Sequence, residues 1–420
     1  MQIVHKAIDS LRRSDQATLL QKGLRERIVV PLSVAFFIVV CFSQPLFAQQ
    51  GEVAGSQAEQ TSGLSEDDAK EISQKIKQLS SDSFSSREIA KARLVEIGEK
   101  VIPALEQSLE KADTDLATQV FEVFGKFALD AQSSETQQIV QILKRLGRSE
   151  ATFTGKQSKQ LLESIRELHS PRAAEELGSL GARIVVGSYP LNGRNGFEQI
   201  RYLEINERFS GNADDLVWLQ WLNQVEMVVL QSEKIQGEWL KHLQDMPALE
   251  LLVIRDADIN SDDLNWLKGI ERLEHLEILY TPIDDKATEI LASLSVWTSM
   301  RIFGTNISLA EGEALGKKLD GIEYQFGCGG FLGIQSDAAA ARSSTVGRVT
   351  PGGAAELAGI IEGDTIVKID STPIESFDDI RANLRKYRPA DKIMVELNRA
   401  DATGKMEKIQ VEVVLGRQSI

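Results

Sequence analysis

The sequence Gly329-Gly330-Phe331-Leu332-Gly333-Ile334 decides the fold of the C-terminal part of this chain. A glycine pair opens it, and a lone glycine lies between two aliphatic residues, so backbone N–H groups can turn outward with no Cβ in the way. Successive N–H groups of this kind form a concavity that binds an anion. The stretch, called the glycine loop below, therefore predicts a short strand that is entered through an anion-binding turn.

Three further motifs follow the glycine loop in order. A Pro-Gly turn at residues 349–353 precedes a small-residue helix that ends near Gly359, and the Gly363-Asp364 turn precedes an alternating strand. Together these motifs resemble the PDZ domain of the bacterial type found in periplasmic trypsin-like proteases. The resemblance covers roughly residues 327–416 and implies a β-rich α+β domain, which we place at residues 322–420.

The resemblance also implies a groove for peptides. In PDZ domains a peptide adds a strand to the sheet edge, and a loop binds its terminal carboxylate. Carried over residue by residue, the amides of Leu332, Gly333 and Ile334 would bind that carboxylate. Ile380 and Leu384, on the helix that follows, would form the opposite wall of the pocket for the last side chain. Plain core packing is an equally simple interpretation of each of these aliphatic residues.

The composition of the 420-residue chain, with 42% hydrophobic residues, is that of about two to four packed domains. Its net charge of −15 argues against general nucleic-acid binding, which depends on cationic groups that meet phosphates. Cys41 and Cys328 are the two cysteines, and the first lies in the leader described next. We therefore expect no internal disulfide in the mature protein.

Residues 1–48 have the pattern of an export signal. A basic segment precedes the uncharged residues 28–42, and Pro45 and Ala48 follow. This apolar run has 15 residues, fewer than a spanning helix needs, so we favour cleavage after Ala48 over retention of residues 28–47 as a membrane anchor. The polar residues 49–65 predict a flexible linker. The rest of the chain is then extracytoplasmic, either periplasmic or secreted.

Residues 66–177 carry apolar residues at helical spacing. Gly98 ends one predicted helix, and Pro103 lies in the first turn of the next, where its missing N–H costs nothing. The short antiparallel helices of residues 84–126 resemble HEAT-type repeats, and a generic helical bundle is an equally simple alternative. Such a region is expected to bind or space other proteins.

An internal repeat runs through residues 178–321. Pairs of aliphatic residues that flank a single position recur at steps of 25, 24, 24 and 24 residues. They are Leu203/Ile205, Val228/Leu230, Leu252/Ile254, Leu276/Ile278 and Met300/Ile302. An apolar residue precedes each pair, Trp297 in the last case, and a helical segment follows it. The pattern resembles leucine-rich repeats, whose units stack to bury one curved core.

Acidic pairs recur at one phase of this repeat, just before the helical segments. They are Asp214-Asp215, Asp262-Asp263 and Asp284-Asp285. A carboxylate at that position caps a helix N-terminus, so we interpret the pairs as structural rather than as calcium or acid–base sites.

The strand residues on either side of the core positions are expected to face the concave side of the repeats. They are Tyr202, Glu204, Met227, Val229, Leu251, Val253, Arg255, His275, Glu277, Leu279, Arg301 and Phe303. Several are apolar, which suggests that a protein partner or a neighbouring domain packs there. We interpret His275 as an ordinary surface or stacking residue.

The sequence contains no recognisable catalytic constellation. The four histidines, His5, His169, His242 and His275, have no partner motif, and no serine-protease or nucleophile-elbow sequence occurs. No group of His, Cys and carboxylate residues has metal-ligand spacing, and no nucleotide-binding motif occurs. We therefore expect a non-enzyme without a metal or cofactor.

These regions predict a multidomain protein with an all-α helical repeat region, an α/β leucine-rich-repeat solenoid and a PDZ domain. Its expected function is non-catalytic protein interaction or scaffolding, in which the PDZ groove binds C-terminal or extended peptides. One alternative is an adaptor or regulatory subunit of a separate extracytoplasmic protease, and another is an uncharacterised hydrolase that uses Glu204 and Glu277. The tail of the chain, residues 417–420, is a further candidate occupant of the groove of a neighbouring molecule.

Overall fold

Apolar residues at helical spacing form the N-terminal helices of the protein. A computed structural model describes residues 65–189, 199–336, 343–401 and 404–418. In the first of these ranges the α-helices are α1 (Glu66–Gln78), α2 (Phe84–Ile97), α3 (Ile102–Leu109), α4 (Thr114–Phe127), α5 (Ser134–Gly147) and α6 (Phe153–Ser179). The predicted helical region is confirmed, and its assignment to HEAT-type repeats stays a prediction.

Capping residues set where these helices begin and end. The side chains of Ser83 and Asp113 accept hydrogen bonds from backbone N–H groups in the first turns of α2 and α4. Gly98 ends α2 with a φ of 84°, which glycine adopts without strain, and Pro103 lies in the first turn of α3. With 27 residues, α6 is longer than the short helices expected, because it buries side chains along its whole length.

The strand segments of the internal repeat pair into one seven-stranded sheet. Its strands are β1 (Arg183–Gly187), β2 (Ile200–Asn206), β3 (Met227–Gln231), β4 (Leu251–Arg255), β5 (Leu273–Leu279), β6 (Val296–Phe303) and β7 (Glu323–Gly327). β1 is antiparallel to β2, and β2 to β7 are parallel neighbours in chain order.

A helix lies in each crossover between the parallel strands. These are 3₁₀ helices at Asp214–Trp221, Gly237–Asp245 and Ser261–Gly269, followed by α7 (Ala287–Ala292) and α8 (Leu309–Lys318). A large, mostly parallel sheet is therefore present, as the repeat predicts. Its assignment to leucine-rich repeats stays a prediction.

The recurring aliphatic pairs lie at the centre of the core of this sheet, and every one of their ten residues is at most 1% exposed. The same core continues into the helical region, where the His169 and Trp221 rings meet edge to face at 4.8 Å. Trp297, the apolar residue that precedes the last pair, is 65% exposed. It lies where the pairing register between β5 and β6 shifts, and such a bulge turns its extra residue away from the ladder.

The acidic pairs lie at helix starts, as predicted, but the expected capping by a carboxylate is wrong: the N-cap positions of these three helices are Ala213, Asn260 and Lys286. Asn260 caps the 3₁₀ helix at Ser261–Gly269, and Asp263 accepts a 2.8 Å hydrogen bond from the Asn260 N–H in return. Asp284 accepts a 2.6 Å hydrogen bond from the Ser261 hydroxyl and so connects two neighbouring repeats. This bond lowers the pKa of Asp284.

The C-terminal region is β-rich. Its elements are β8 (Ile334–Ser336), β9 (Val346–Val349), α9 (Ala354–Leu357), β10 (Thr365–Ile369), β11 (Thr372–Pro373), α10 (Phe377–Leu384), β12 (Lys392–Ala400) and β13 (Met406–Val414). The strands form an antiparallel β8-β9 pair and a four-stranded antiparallel sheet in the order β11-β10-β12-β13. Asp364, fully buried, pairs with Arg399 at 2.7 Å through both carboxylate oxygens and so fixes the turn before β10.

The face of the seven-stranded sheet that was expected to be concave is mostly buried. Its apolar residues Ile200, Met227, Val229, Leu251 and Val253 form a separate cluster, against which Tyr189 and Tyr202 pack. His275 is 4% exposed, with its Nδ1 at 2.6 Å from the Ser299 hydroxyl, so of the two predicted alternatives, a surface or a stacking residue, the surface residue is wrong. A polar partner on the adjacent strand makes this burial possible.

The chain returns to this face after β13. The N–H of Gln418 donates a 2.6 Å hydrogen bond to the Tyr280 hydroxyl, and the Arg255 guanidinium donates to the Gln418 carbonyl. The Arg417 guanidinium lies 4.2 Å from the centre of the Tyr280 ring. Residues 417 and 418 are thus fixed to the sheet, whereas the other two residues of the predicted tail lie outside the described residues.

The predicted export signal at residues 1–48 and the linker up to residue 64 also lie outside the described residues. In the part of the chain that the structure describes, none of the helices combines the length and the apolar character needed to cross a bilayer. All described residues belong to one unit, Gly63–Ile420. The domain boundaries inside this unit stay predictions.

Candidate functional site

The glycine loop is held through its backbone carbonyl groups. Three successive carbonyl oxygens accept backbone hydrogen bonds from three different segments: Phe331 from Gly416 at 3.0 Å, Leu332 from Ala355 at 2.8 Å and Gly333 from Thr350 at 2.8 Å. A trans peptide unit is planar, with its N–H opposite its C=O, and no cis bond occurs among the described residues. The N–H groups of Leu332, Gly333 and Ile334 therefore point away from these donors.

Two of these N–H groups have no hydrogen-bond acceptor within the described ranges, namely those of Leu332 and Gly333. Gly333 has a φ of +81°, a left-handed conformation that side chains other than glycine rarely adopt. Adjacent N–H groups without acceptors form a concave donor site for an anion such as a carboxylate. That this turn binds a carboxylate stays a prediction.

The strand that follows the loop has a free edge. β8 pairs with β9, with Ile334 opposite Val349, and it has no second strand neighbour in the described sheets. Because the Thr350 N–H donates to the Gly333 oxygen, the Ile334–Val349 pair is one of the non-hydrogen-bonded pairs of the ladder. The N–H and C=O of Ile334 therefore point to the free edge, where a further strand can add.

An apolar pocket lies between this edge and α10. Leu332 and Ile380 are each 1% exposed and belong to the core of the C-terminal region, while Ile334 and Leu384 are partly buried against it. Core packing and pocket lining, which the sequence left as alternatives, therefore coexist at Leu332 and Ile380. A pocket of this composition fits an aliphatic side chain.

The five predicted site residues, Leu332, Gly333, Ile334, Ile380 and Leu384, all line one cavity of about 880 Å³. Their role in peptide binding stays a prediction. The cavity extends beyond them, and sequence reasoning missed this extension. Further lining residues come from β6 and β7, from the exposed side of α10 and from the chain end: Arg301, Phe303, Glu323, Gln325, Arg381, Arg385 and Gln418.

α10, which forms one wall of the cavity, is fixed by hydrogen bonds at both ends. Ser376 and Asp379 form a capping box at the start of α10, with bonds of 3.2 Å and 2.8 Å between side chain and backbone. After its end, the carbonyl of Arg385 accepts from the Cys328 N–H at 2.7 Å, and that of Tyr387 from the Gly330 N–H at 2.8 Å. The second pair of bonds ties the helix to the start of the glycine loop, so the two walls keep their spacing.

Arg301 is the most deeply buried cation of the cavity wall, with 9% exposure. Its guanidinium lies 3.5 Å from the Glu277 carboxylate, donates to the Gln418 side chain, and stacks 4.8 Å from the centre of the Phe303 ring. Burial lowers the pKa of Arg301, and the carboxylate of Glu277 opposes this shift. Arginine nevertheless remains a cation at neutral pH.

Hydrogen bonds to the Asp370 carboxylate fix the turn between β10 and β11. Asp370 has a φ of +49°, and its carboxylate accepts a 2.8 Å hydrogen bond from the Met394 N–H and another from the Tyr387 hydroxyl. These bonds lower the pKa of Asp370. Burial, together with the hydrogen bond to Asp370, raises the pKa of Tyr387 to about 12.

Across the described ranges, no group of three or more His, Cys, Asp and Glu side chains could hold a metal ion. The two carboxylates considered for a hydrolase have structural partners: Glu204 accepts from Asn206 at 2.8 Å, and Glu277 is 5% exposed beside Arg301. Cys328 is buried where β7 leads into the glycine loop, and this burial raises the pKa of its thiol. It is thus a poor nucleophile.

The sequence profile of the PDZ domain family matches residues 345–399, which include β10, α10 and most of β12. These residues are a PDZ domain. The glycine loop lies before the matched range and joins the PDZ domain through the β8-β9 pair. PDZ domains bind peptides, so the coarse prediction of a peptide-binding domain is supported.

Two solved structures are similar to parts of this chain. One is the HtrA-type protease AlgW with decapeptide, 20% identical over 26% of this chain and 35% of that chain, with a TM-score of 0.20. The other is an AlgW variant with decapeptide, 19% identical over 22% of this chain and 30% of that chain, with a TM-score of 0.19. The chain thus spans about a third of the length of these proteases. No curated protein sequence matches it.

Proposed function

We propose that this protein is an exported, non-catalytic interaction protein whose PDZ domain binds the C-terminal segments of other proteins. The seven-stranded sheet is in this proposal a leucine-rich-repeat solenoid, and the N-terminal helices are HEAT-like repeats. Both serve as a rigid scaffold for the PDZ groove and as further surface for partners. Two weak sites on one chain raise the effective concentration of a partner that reaches both.

One observation carries the proposal: the N–H groups of Leu332 and Gly333, which have no acceptor among the described residues, lie beside both the outer edge of β8 and an apolar pocket. The C-terminus of a peptide carries a group that suits each of these three features. Its carboxylate accepts from the N–H groups, its backbone pairs with β8, and its last side chain enters the pocket. An aliphatic last residue suits the pocket walls formed by Leu332, Ile380 and Leu384.

A C-terminal peptide library, screened against the full chain, tests this function. Each peptide that binds is then compared as free acid and as C-terminal amide, because the amide lacks the anionic end. We expect the free acid to bind at least about tenfold more tightly, the effect of a charge-assisted contact with two donors. Leu384→Glu should abolish binding, since it places a charge in the pocket.

Leu357→Glu is the matched control, because Leu357 lies in the same domain, is 81% exposed and does not line the cavity. It should bind peptides as the unchanged protein does. Equal affinity for acid and amide, or unchanged binding by the Leu384→Glu protein, would refute the proposed function. Absence of any bound peptide would refute it as well.

A further inference from the structure

The cavity at the PDZ groove has a wall that does not belong to the PDZ domain. Arg301 and Phe303 on β6, and Glu323 and Gln325 on β7, line it together with the glycine loop and α10. These residues lie at alternate positions of two parallel neighbours, and Arg301 is directly opposite Gln325. Side chains at alternate positions share a sheet face. The wall is therefore one continuous patch of the seven-stranded sheet.

This wall keeps a fixed position relative to the groove. The Tyr280 hydroxyl lies 3.1 Å from the Gly329 carbonyl oxygen, and the Arg388 guanidinium donates to the Thr305 carbonyl at 3.1 Å. With Gln418 bound to Tyr280 as well, three segments of the C-terminal region are hydrogen-bonded to the end of the sheet. A peptide in the groove thus meets the sheet in one defined arrangement.

Strand geometry decides which side chain of a peptide reaches this wall. Successive side chains of a strand point to opposite sides. When the last side chain of a peptide enters the pocket of Leu332 and Ile380, the next-to-last side chain points out of that pocket. Beyond the pocket, the cavity is lined by the patch with Arg301 and Phe303 on one side and by Arg381 and Arg385 on the other.

The charge of the cavity differs in sign from that of the chain. The whole protein has a net charge of −15, whereas the charged lining residues are three arginines and two acids. They are Arg301, Arg381, Arg385, Asp378 and Glu323. Asp378 lies 3.4 Å from Arg381, and Glu277, which is outside the cavity lining, lies 3.5 Å from Arg301, so each carboxylate offsets part of the charge of its arginine. Arg301 is the cation that a buried, planar stack with Phe303 holds in one orientation.

We propose that the sheet is part of the peptide site and that Arg301 selects peptides with an acidic next-to-last residue. The preferred ligand is thus a protein C-terminus with Asp or Glu followed by an aliphatic residue. This inference rests on the proposed function of the groove. A planar guanidinium is the group that binds carboxylates best, and the contacts with Glu277 and Gln418 hold that of Arg301 at the cavity.

The test compares three versions of one library-derived peptide, with Glu, Gln or Lys at the next-to-last position, on the full chain. For the unchanged protein we expect Glu to bind about fivefold more tightly than Gln, and Lys to bind most weakly. In the Arg301→Gln protein the difference between Glu and Gln should disappear. Arg272→Gln, which removes an exposed arginine just before β5 and outside the cavity, should leave it intact.

Arg301→Gln leaves the buried Glu277 without its arginine, so the Glu277→Gln/Arg301→Gln double variant is measured beside it. It should likewise bind the Glu and Gln peptides equally. If the unchanged protein binds the three peptides equally, or if the preference for Glu survives in both variants, the inference is wrong while the proposed function stands. If none of the three binds even as free acid, both are wrong.

Discussion

The Tyr280 hydroxyl donates a 3.1 Å hydrogen bond to the carbonyl oxygen of Gly329 and accepts a 2.6 Å hydrogen bond from Gln418. One side chain of the seven-stranded sheet thus contacts both the start of the glycine loop and the end of the chain. Tyr280 itself has a φ of +50°, so the backbone at the end of β5 is turned to place this ring. This contact connects the peptide site to the sheet.

Replacement of Tyr280 by Phe should loosen this connection. The change removes both hydrogen bonds and leaves two polar backbone groups without their partner, so we expect a loss of about 1–2 kcal/mol in the free energy of unfolding. Amide hydrogen exchange at Cys328 and Gly330 should become faster. Tyr324→Phe, which removes the hydroxyl bond to Gly312 elsewhere in the fold, should not accelerate exchange at these two amides. Equal exchange in both variants would contradict a role of Tyr280 in the junction.

Gly329→Ala should destabilise the junction more strongly. Gly329 has a φ of +96°, and a Cβ at this position would lie 2.5 Å from the Gly304 Cα. We expect a loss of about 2–4 kcal/mol in a urea titration, because backbone strain adds to a clash between two backbone segments. Gly321→Ala is the control, since Gly321 has a φ of +83° and nothing within 4 Å of its Cβ position. A similar loss in both proteins would show that the close approach is unimportant.

Gly333→Ala should weaken peptide binding without unfolding the domain. A Cβ here would meet its nearest atoms at 3.5 Å, an ordinary contact, so the penalty comes from the φ of +81°. Relief of this strain turns the N–H groups of the loop away from the carboxylate, and we expect about a tenfold loss of affinity for a free-acid peptide. Gly352→Ala, with a φ of +70° and open space around it, serves as the control in calorimetric titrations. Unchanged affinity of the Gly333→Ala protein would argue against the loop as the carboxylate site.

The stability of the PDZ domain should depend on pH through Asp370. Its hydrogen bonds from the Met394 N–H and the Tyr387 hydroxyl lower its pKa in the folded state below the ordinary 3.8. The resulting stabilisation is present above this ordinary value and is lost as the pH falls through the lowered pKa. The difference in thermal midpoint between the unchanged protein and Asp370→Asn should therefore be constant near neutral pH and should shrink below a pH of 3.8.

Tyr387→Phe removes one of the two donors to Asp370 and should reduce this pH dependence without abolishing it. A midpoint difference that stays the same down to roughly pH 2 would show that Asp370 does not titrate with unfolding in this way.

The local parts of the candidate site could be predicted from the sequence. Gly329 and Gly333 have the positive φ values that favour glycine, and the apolar spacing from Phe377 to Leu384 indicates which side of α10 is buried. These signals act over a few residues. The PDZ resemblance, rather than these local signals, predicted that the loop and the helix meet, and all five residues line one cavity.

The sheet side of the cavity could not be predicted in the same way. Arg301 and Phe303 were recognised as residues of one sheet face, and the same alternation places Glu323 and Gln325 beside them. The alternation of side chains along a strand does not indicate which part of the chain will pack against that face of the sheet. The burial of His275 could not be predicted for the same reason. Side-chain alternation places His275 on the sheet face opposite the core positions, and contacts from other segments bury it there.

The sequence by itself determined the helices, the order of the strands and the conformation of the glycine loop, because capping, side-chain alternation and glycine φ values are local properties. The tertiary structure alone decided that the groove faces β6 and β7. That arrangement depends on hydrogen bonds between residues far apart in the chain, such as Tyr280 with Gly329 and Arg255 with Gln418. Bonds of this kind form only after each part has folded, so no local pattern encodes them.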